Sequence, residues 1–410
     1  MLGVWCEQQR VGILERTSGG GLSFAYDPDW IREGFAISVS MPLVKDVYPI
    51  DVATPWFANL LPEEPQLEMI GQILGRAAGD TYGILEEIGR DTAGALSIGD
   101  AKKPESGRYQ ALDEHDLAAA IRRLPQRPLL IGDEGVALSL AGAQSKMLVA
   151  VIGGRVMLPI NGAASTHILK PANDRLYASV ANELMCMRLA SAVGIPTPEA
   201  AFGRAGDQRY LLVRRYDRSI AQDGRVTRRH QEDFCQALGR YPTEKYQASG
   251  GPGLQQLFEV VVHHSAAAAR DRLTLLDMVI FSCCIGDTDR HAKNYSLLLD
   301  DRGWRLAPHY DAMTSLIYSN ITRNMAMKIA DNSRAEHLQR RHWENFAQAV
   351  GLAPAATVRR VEALAESVLA RLPSLTRLAA NDAGGVLIPF VVFQRHIEER
   401  TRAVMTNCRL

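Results

Sequence analysis

The residues of this chain with the clearest chemical potential are two acids and an asparagine, Asp289, Asn294 and Asp311. Asn294 follows Asp289 by five positions, and Asp311 comes after a further short apolar segment. Each residue alone is ordinary in a loop or turn. Together, one acid can accept the proton of an attacking hydroxyl, while an amide oxygen and a second acid can hold Mg²⁺ against the phosphates of ATP. The spacing therefore predicts an ATP-dependent phosphotransferase.

Two elements must bring these three side chains together. Leu273–Ile285 is an apolar run that predicts a helix leading into the loop with Asp289. Apolar runs on either side of Asp300–Gly303 predict a β-hairpin. We expect this hairpin to fold Asp311 back towards Asp289.

A second group of candidates for nucleotide binding lies upstream. Lys170 ends the predicted strand Thr166–Lys170 and could clamp the α- and β-phosphates, with Glu183 on the following helix as its partner. The same residues also fit a solvated lysine and an acid that complements a helix dipole. The backbone of Val213–Asp217 is placed to meet the adenine edge as a hinge between lobes, although Arg214 and Arg215 could equally be exposed charges. His291 either contacts phosphate or orients the catalytic loop, although a lone histidine is more often a structural hydrogen-bonding residue.

The segment Ser139–Lys146 is the candidate phosphate loop, because small side chains let backbone N–H groups approach phosphate oxygens. Its centre consists of Ala141, Gly142, Ala143 and Gln144. Ser139 and Ser145 add hydroxyls that could themselves be phosphorylated. A phosphate there would repel the phosphates of ATP and expel the loop.

Composition limits the class of protein. The chain has 410 residues, enough for two or three domains, and its 46 basic and 46 acidic residues balance. A nucleic-acid role therefore requires a local patch or a basic partner. There is no uncharged apolar stretch of about 18 residues and no signal-peptide core, so we expect no membrane segment. None of the six cysteines forms a CxxC pair, which favours reduced cysteines and a cytoplasmic protein.

Strand-like segments dominate the first half of the chain and helical patterns the second. This order predicts an α+β, bilobal, protein-kinase-like fold with a β-rich N-terminal lobe and an all-helical C-terminal lobe. We place a small N-terminal subdomain at 1–105, the rest of the N-lobe at 106–217, and the C-lobe at 218–410. The charged segment 101–107 is expected to be a linker or an exposed loop.

Local patterns predict individual elements within this outline. Gly153-Gly154 between two apolar runs indicates a hairpin turn. Val180–Val193 has the pattern of an amphipathic helix with one apolar face. Gln231–Leu238 is a helix candidate, and so is Asp113–Leu124, with Asp113 or Asp116 available near its N-terminus.

With these residues identified, the chain resembles the HipA family, the toxin kinases of bacterial type II toxin–antitoxin modules. The matching segments follow the family order over nearly the whole chain, and together they are highly specific although each is short. They are Phe57–Pro62, Glu87–Asp91, Ser139–Lys146, His167–Lys170, Asn182-Glu183, Arg215–Arg218, Gln231–Gln236, Gly250–Gly253, Gly286–Asn294 and Tyr310-Asp311.

The resemblance implies a Ser/Thr protein kinase that uses ATP and Mg²⁺. It makes Asp289 the catalytic acid, Asn294 and Asp311 the Mg²⁺ ligands, and Lys170 the phosphate clamp. Gln231, His291 and Tyr310 match family positions around the nucleotide, and the backbones of Arg214 and Tyr216 match the hinge. Ser139 matches the serine that family members autophosphorylate, which ejects the loop and inactivates the kinase.

The resemblance also implies partners. Family members phosphorylate a serine of an aminoacyl-tRNA synthetase, such as the glutamyl enzyme, which inhibits translation and causes growth arrest or persistence. Their antitoxin is a small HipB-like helix-turn-helix protein that dimerises, binds operator DNA and holds the kinase inactive. The toxin then acts as a co-repressor, which fits a neutral chain because the partner supplies most phosphate contacts.

Two departures and two alternatives remain open at this stage. Ser145 stands where family members often have an acid, which makes it a candidate second autophosphorylation site, and Arg214 also replaces a more usual acid. A small-molecule kinase of the aminoglycoside-phosphotransferase type also places Asp and Asn five apart, but it does not explain the Ser139–Lys146 loop and the N-terminal extension. A catalytically inactive repressor subunit is the other alternative, and the intact acids argue against it.

Overall fold

The computed structural model describes residues 1–100, 107–222, 224–385 and 387–410. The strands, in chain order, are β1 (Leu2–Cys6), β2 (Gln9–Arg16), β3 (Leu22–Tyr26), β4 (Leu96–Asp100), β5 (Arg108–Ala111), β6 (Met147–Ile152), β7 (Arg155–Ile160), β8 (His167–Pro171), β9 (Ala200–Ala205), β10 (Gln208–Arg214), β11 (Arg218–Ile220), β12 (Val226–Arg228), β13 (Gln231–Asp233), β14 (Ser296–Asp300) and β15 (Gly303–Leu306). The helices are α1 (Pro28–Glu33), α2 (Ile50–Ala58), α3 (Gln66–Leu74), α4 (Thr81–Ile88), α5 (Glu114–Arg123), α6 (Ser179–Ala192), α7 (Phe234–Ala237), α8 (Leu254–His264), α9 (Ala268–Ile285), α10 (Arg340–Ala349), α11 (Pro354–Asp382) and α12 (Leu387–Cys408).

The chain forms two compact units. Unit 1 contains residues 1–171, 204–242 and 298–301, and unit 2 contains residues 172–203, 243–297 and 302–410. Strands predominate in unit 1 and helices in unit 2, which confirms the predicted α+β class with β-rich and helical portions. The predicted domain boundaries stay predictions, and the linker expected at 101–107 lies outside the described residues except for Gly107.

Unit 1 is built on antiparallel sheets. The first has the strand order β3-β2-β1-β4, and the second contains β5-β7-β6-β8-β10 in that order. Gly153 and Gly154, with φ of 57° and 76°, form the predicted turn between β6 and β7, because a tight hairpin needs positive φ at both central residues. The first sheet packs on α2, and the large side chains Phe24, Trp56 and Phe57 are fully buried there. Burial of each such side chain contributes about 1.5–3 kcal/mol to folding.

Unit 2 is organised around α9. From Leu275 to Ile285 this helix is buried except at Asp277, because it packs against α8, α11 and α12. The predicted hairpin follows, with the Ala307 N–H donating to the Ser296 carbonyl (2.8 Å). Among the described residues no helix is long and apolar enough to cross a membrane.

Two predicted helices differ from the structure. The amphipathic pattern assigned to Val180–Val193 is wrong, because α6 packs against α11 and α12 and is buried on nearly all sides. The helix predicted from Gln231 begins only at Phe234. The Asp233 side chain accepts a hydrogen bond from the Gln236 N–H (2.9 Å) and caps the helix there, which leaves the preceding residues in β13.

Candidate active site

The predicted catalytic loop, residues 286–294, starts at a fixed point, the end of α9. Gly286 has φ of 71°, the left-handed conformation in which glycine ends many helices. Its N–H and that of Asp287 bond back to the carbonyls of Cys283 (3.4 Å) and Ser282 (2.9 Å). A Cβ at Gly286 would lie 3.0 Å from the Leu316 side chain. The helix therefore presents the next residues in one defined direction.

Asp289 and Asn294 lie on one tight loop. The Asp289 carbonyl accepts two hydrogen bonds, from the His291 N–H (2.9 Å) and from the Asn294 side-chain amide (3.0 Å). The Asn294 N–H in turn donates to the His291 carbonyl (2.9 Å), which closes a single 3₁₀ turn. The Asn294 side chain is therefore held by its nitrogen, and its oxygen is left as an acceptor.

The side chain of Asp289 is the exposed point of this loop. Every residue from Met278 to Leu297 is buried except Asp289. Its N–H donates to Oδ1 of Asp287 (3.1 Å), and its own Oδ1 accepts a hydrogen bond from the Tyr246 hydroxyl (2.7 Å). A buried loop that exposes one carboxylate can offer that group to a molecule outside.

Arg290 joins the catalytic loop to the segment of Asp311. Its buried guanidinium donates to the carbonyls of Tyr310 and Asp311 (3.4 Å for the second) and to Nδ1 of His309 (2.7 Å). The Tyr310 hydroxyl lies 2.7 Å from both the Lys293 carbonyl and the Ser296 hydroxyl. The two acids of the predicted site thus belong to segments bonded to one another within unit 2.

A second support for Asp311 comes from α6. Asn182 is fully buried, and its amide donates to the Thr314 carbonyl (2.9 Å) and accepts from the Thr314 N–H (2.9 Å). This pair fixes the chain three residues after Asp311. Glu183, the next residue, is also buried in unit 2, whereas Lys170 belongs to unit 1, so their ion pair stays a prediction.

Burial sets the charge of the groups around Asp289. It raises the pKa of Asp287 to about 7, although Arg290 acts to lower it. Burial also places the pKa values of His291 and His309 well below the usual histidine range. Both imidazoles are therefore neutral near pH 7. His291 packs edge-on against the Tyr246 ring (centroids 5.1 Å apart), which fits the orienting role better than a cationic contact with phosphate.

The donor set of the loop fits Mg²⁺. The Asn294 amide oxygen and the Asp311 carboxylate are hard oxygen ligands of the kind that this ion prefers, and the Asn294 orientation is fixed by its bond to Asp289. A protein site for Mg²⁺ normally supplies only one or two such groups, and phosphates and water complete the shell. The residues present are therefore suitable.

In unit 1, Lys170 lies within β8, opposite Leu211 of β10. It is only 9% exposed, so it is not the solvated strand-end lysine of the alternative interpretation. A nearly buried ammonium requires a compensating charge or hydrogen bonds. Its role as the phosphate clamp stays a prediction.

The candidate phosphate loop is anchored at both ends within unit 1. The Ser139 hydroxyl is fully buried and donates to the Leu60 carbonyl (2.7 Å), while its N–H donates to the Asp91 carbonyl (3.0 Å). Lys146 donates to the Ala141 carbonyl across the loop. Gly142 has φ of 107°, and a Cβ there would lie 2.6 Å from the Lys146 ammonium. Ala143 at the tip is exposed, and Gln144 and Ser145 are half-buried.

The predicted hinge rests on a buried ion cluster in unit 1. This hinge cluster comprises Asp91, Arg215, Asp217, Arg218 and Arg228. Arg215 donates two hydrogen bonds to Asp217 (2.9 and 2.6 Å). Arg218 and Arg228 form ion pairs with Asp91 at 2.9 and 3.1 Å. Arg214, in contrast, is exposed.

Gln231 connects this cluster to Tyr216. The Tyr216 hydroxyl donates to the Gln231 oxygen, and the Gln231 nitrogen donates to Asp217 (3.4 Å). Gln231, which matches a family position around the nucleotide, is thus linked to the predicted hinge by side-chain hydrogen bonds.

Sequence patterns missed two residues of the site, Arg290 and Tyr246. Arg290 follows Asp289 directly in sequence, but the sequence does not show that its side chain is buried and bonded to the segment of Asp311. Tyr246 lies 43 residues before Asp289, in irregular chain between short 3₁₀ turns, so no periodic pattern marked it.

Comparison with known proteins now identifies the family. Residues 2–99 match the HipA N-terminal domain and residues 138–374 match the HipA-like C-terminal domain. The chain belongs to the HipA family. The described fold agrees with the solved structure of HipA in a complex with HipB and operator DNA from Shewanella oneidensis MR-1. The TM-score is 0.84 with 23% sequence identity, and 99% of each chain is covered.

Two relatives are similar in sequence to this chain along most of their length. The putative kinase Y4mE of Sinorhizobium fredii is 38% identical over 376 residues, which is 90% of both chains. The serine/threonine-protein kinase toxin HipA of Shewanella oneidensis is 30% identical over 322 residues, 75% of this chain and 73% of that protein. The recognition of this family from short motifs is confirmed.

Proposed function

We propose that this HipA-family chain is an ATP-dependent serine/threonine protein kinase and the toxin of a HipBA-type module. The observation that carries the proposal is Asp289, the one exposed carboxylate in an otherwise buried loop, with the Asn294 amide bonded to its own carbonyl. The relative from Shewanella oneidensis is named a serine/threonine-protein kinase toxin, which supports the reaction class.

The proposed mechanism assigns one role to each group. Asp289 accepts the proton of the attacking serine hydroxyl. Asn294 and Asp311 hold Mg²⁺, which neutralises phosphate charge when bound. ATP contacts are assigned to Lys170, Gln231 and Tyr310, to the backbones of Arg214 and Tyr216, and to Ala141, Gly142, Ala143 and Gln144. His291, neutral and packed on Tyr246, orients the loop.

Autophosphorylation of the phosphate loop belongs to the same proposal. Ser145 is half-buried and can be reached in the described conformation, whereas the Ser139 hydroxyl is fully buried against the Leu60 carbonyl. We infer that Ser139 is modified only after the loop leaves its anchors, and that a phosphate on Ser139 cannot return to that buried position.

The proposed partners follow the family. The acceptor is a serine of a protein, with an aminoacyl-tRNA synthetase such as the glutamyl enzyme as the first candidate, and the outcome is inhibited translation and growth arrest. A HipB-like helix-turn-helix antitoxin binds the chain and carries it to operator DNA. The solved complex of the Shewanella oneidensis HipA contains HipB and operator DNA.

The experiment compares wild type with Asp289→Asn, and with Asp301→Asn as a matched control at an exposed acid of the hairpin turn. Each protein receives labelled ATP and one of three acceptors: host glutamyl-tRNA synthetase, a heat-treated host lysate, or kanamycin. We expect label in protein with wild type and Asp301→Asn, and a loss of at least about 100-fold with Asp289→Asn. Label in kanamycin alone would indicate the small-molecule kinase, and no label anywhere would indicate the inactive repressor subunit.

A further inference from the structure

Tyr246 contacts the proposed catalytic carboxylate directly. Its hydroxyl donates a hydrogen bond of 2.7 Å to Oδ1 of Asp289, a length typical of a hydroxyl bonded to a charged carboxylate. The phenol is half-buried, and its ring packs edge-on against His291 at an interplanar angle of 84°. One side chain thus touches both the acid and the histidine of the loop.

The segment around Tyr246 is bonded to the catalytic loop on both sides. The Lys245 carbonyl accepts from the Ala292 N–H (3.3 Å). The Gln247 N–H donates to the Ala326 carbonyl (3.3 Å), and the Ala326 N–H donates to the Thr288 carbonyl (3.0 Å). Backbone bonds therefore tie the neighbours of Tyr246 to residues on either side of Asp289.

The turn after Tyr246 fixes its backbone as well. The Tyr246 carbonyl accepts from the N–H groups of Ser249 and Gly251, both at 3.0 Å. A Cβ at Gly251 would lie 1.8 Å from the Glu244 carbonyl oxygen, so no larger residue fits there without moving the turn. The phenol consequently reaches Asp289 from a rigid support.

We propose that Tyr246 is the positioning residue for Asp289: it holds Oδ1 and so fixes the direction in which the carboxylate meets the acceptor hydroxyl. This inference rests on the proposed kinase function. Asp289 is exposed, and a hydrogen bond from a hydroxyl on a fixed backbone restricts the side chain to one direction. The alternative is that the phenol takes the place of the acceptor hydroxyl and has to be displaced.

The test is Tyr246→Phe, which removes one oxygen atom. Tyr109→Phe is the control, because the Tyr109 hydroxyl donates to the Ala164 carbonyl (2.9 Å) within unit 1. With the protein acceptor that wild type labels, we expect kcat to fall about 10- to 100-fold. The KM for ATP and the Tm should stay at the wild-type values, and Tyr109→Phe should match wild type. A rate equal to or above wild type would overturn the positioning role, and a higher rate would show displacement.

A second measurement does not depend on activity. The measurement is fluorine NMR on protein labelled with fluorotyrosine. The resonance of Tyr246 is identified by its loss in Tyr246→Phe. We expect this signal to move in Asp289→Asn and to stay in place in Asp301→Asn. If the Tyr246 signal stays in place in Asp289→Asn, the hydrogen bond between Tyr246 and Asp289 is refuted. If the contact is present but wild-type protein labels no acceptor, the proposed kinase function is refuted, and the positioning role with it.

Discussion

Asp311 has a backbone conformation that restricts which residues can replace it. Its φ is 57°, a left-handed value that asparagine and aspartate adopt more readily than other non-glycine residues. Asp311→Asn therefore keeps the backbone and removes only the charge. We expect this variant to lose at least about 100-fold in phosphotransfer rate, because a neutral amide stabilises the metal-bound phosphates less well.

The matched variant for Asp311→Asn is Asp311→Ala, which removes the charge and also strains the backbone. Thermal unfolding should show a Tm close to wild type for Asp311→Asn and a lower Tm for Asp311→Ala. Full phosphotransfer by Asp311→Asn would contradict the assignment of Asp311 as a metal ligand.

Glu232 is a second residue that yields a prediction, because its ionisation should make the free energy of unfolding depend on pH. It is fully buried and accepts hydrogen bonds from the Ser38 hydroxyl (2.6 Å), the Val39 N–H (2.9 Å) and the Trp56 indole (3.0 Å). Burial outweighs these donors and raises its pKa from 4.5 to about 7. The folded state therefore keeps a proton that the unfolded chain releases, and stability falls as pH rises from 4.5 to about 7.

Replacing Glu232 with glutamine removes this proton uptake. Across that pH window the free energy of unfolding should decrease by about 3 kcal/mol more in wild type than in Glu232→Gln. Urea unfolding at several pH values measures the two slopes. Parallel slopes would show that the Glu232 carboxyl ionises normally in the folded protein.

At the scale of elements, the hinge cluster joins Asp91, near the end of the segment matched to the HipA N-terminal domain, to the predicted hinge. Burial alone would raise the pKa of Asp91, but Arg218, Arg228 and Arg215 outweigh it and hold the pKa well below its usual range. Asp91→Ala would leave these guanidinium groups without one of their acids inside the protein. We expect a loss of about 3–5 kcal/mol in the free energy of unfolding.

Denaturant unfolding measures this loss, and Glu399→Ala is the control. Glu399 forms an exposed pair with Arg395 on α12 at 3.0 Å, so its removal should cost less than about 1 kcal/mol. Equal effects of the two variants would mean that the buried cluster does not stabilise the hinge.

The elements that carry the catalytic loop could be predicted because each has a local cause. The apolar run of α9, the glycine at its end and the turn residues of the β14–β15 hairpin are all visible in sequence. The burial of α6 on nearly all sides was not, because it comes from contacts with α11 and α12, which lie far away in sequence. Tyr246 escaped notice for the same reason: its partner Asp289 is a tertiary neighbour.

At the scale of the whole molecule, the order of β-rich and helical portions was predictable, but the composition of each unit was not. Three separate chain segments make up each unit, and even the short stretch 298–301 within the hairpin belongs to unit 1. Hydrophobic periodicity reports which face of an element is buried, not which segments assemble. The two units are defined by contacts between residues distant in sequence, which periodicity does not reveal.

The charge of the whole chain yields the last prediction, which concerns DNA. With 46 basic and 46 acidic residues the chain has no net charge to attract a polyanion, and counterion release requires clustered positive charge. We expect the purified chain alone to show no binding to operator DNA at about 0.15 M salt. The chain copurified with the proposed helix-turn-helix partner should bind.

The salt dependence separates the contributions of the two proteins. If the partner supplies the phosphate contacts, the slope of log K against log salt should be the same for the partner alone and for the complex, because the slope counts neutralised phosphates. The affinity for DNA can still change, because binding of one protein is coupled to binding of the other. A steeper slope for the complex would show that basic residues of this chain reach the DNA backbone and would contradict a co-repressor that acts only through its partner.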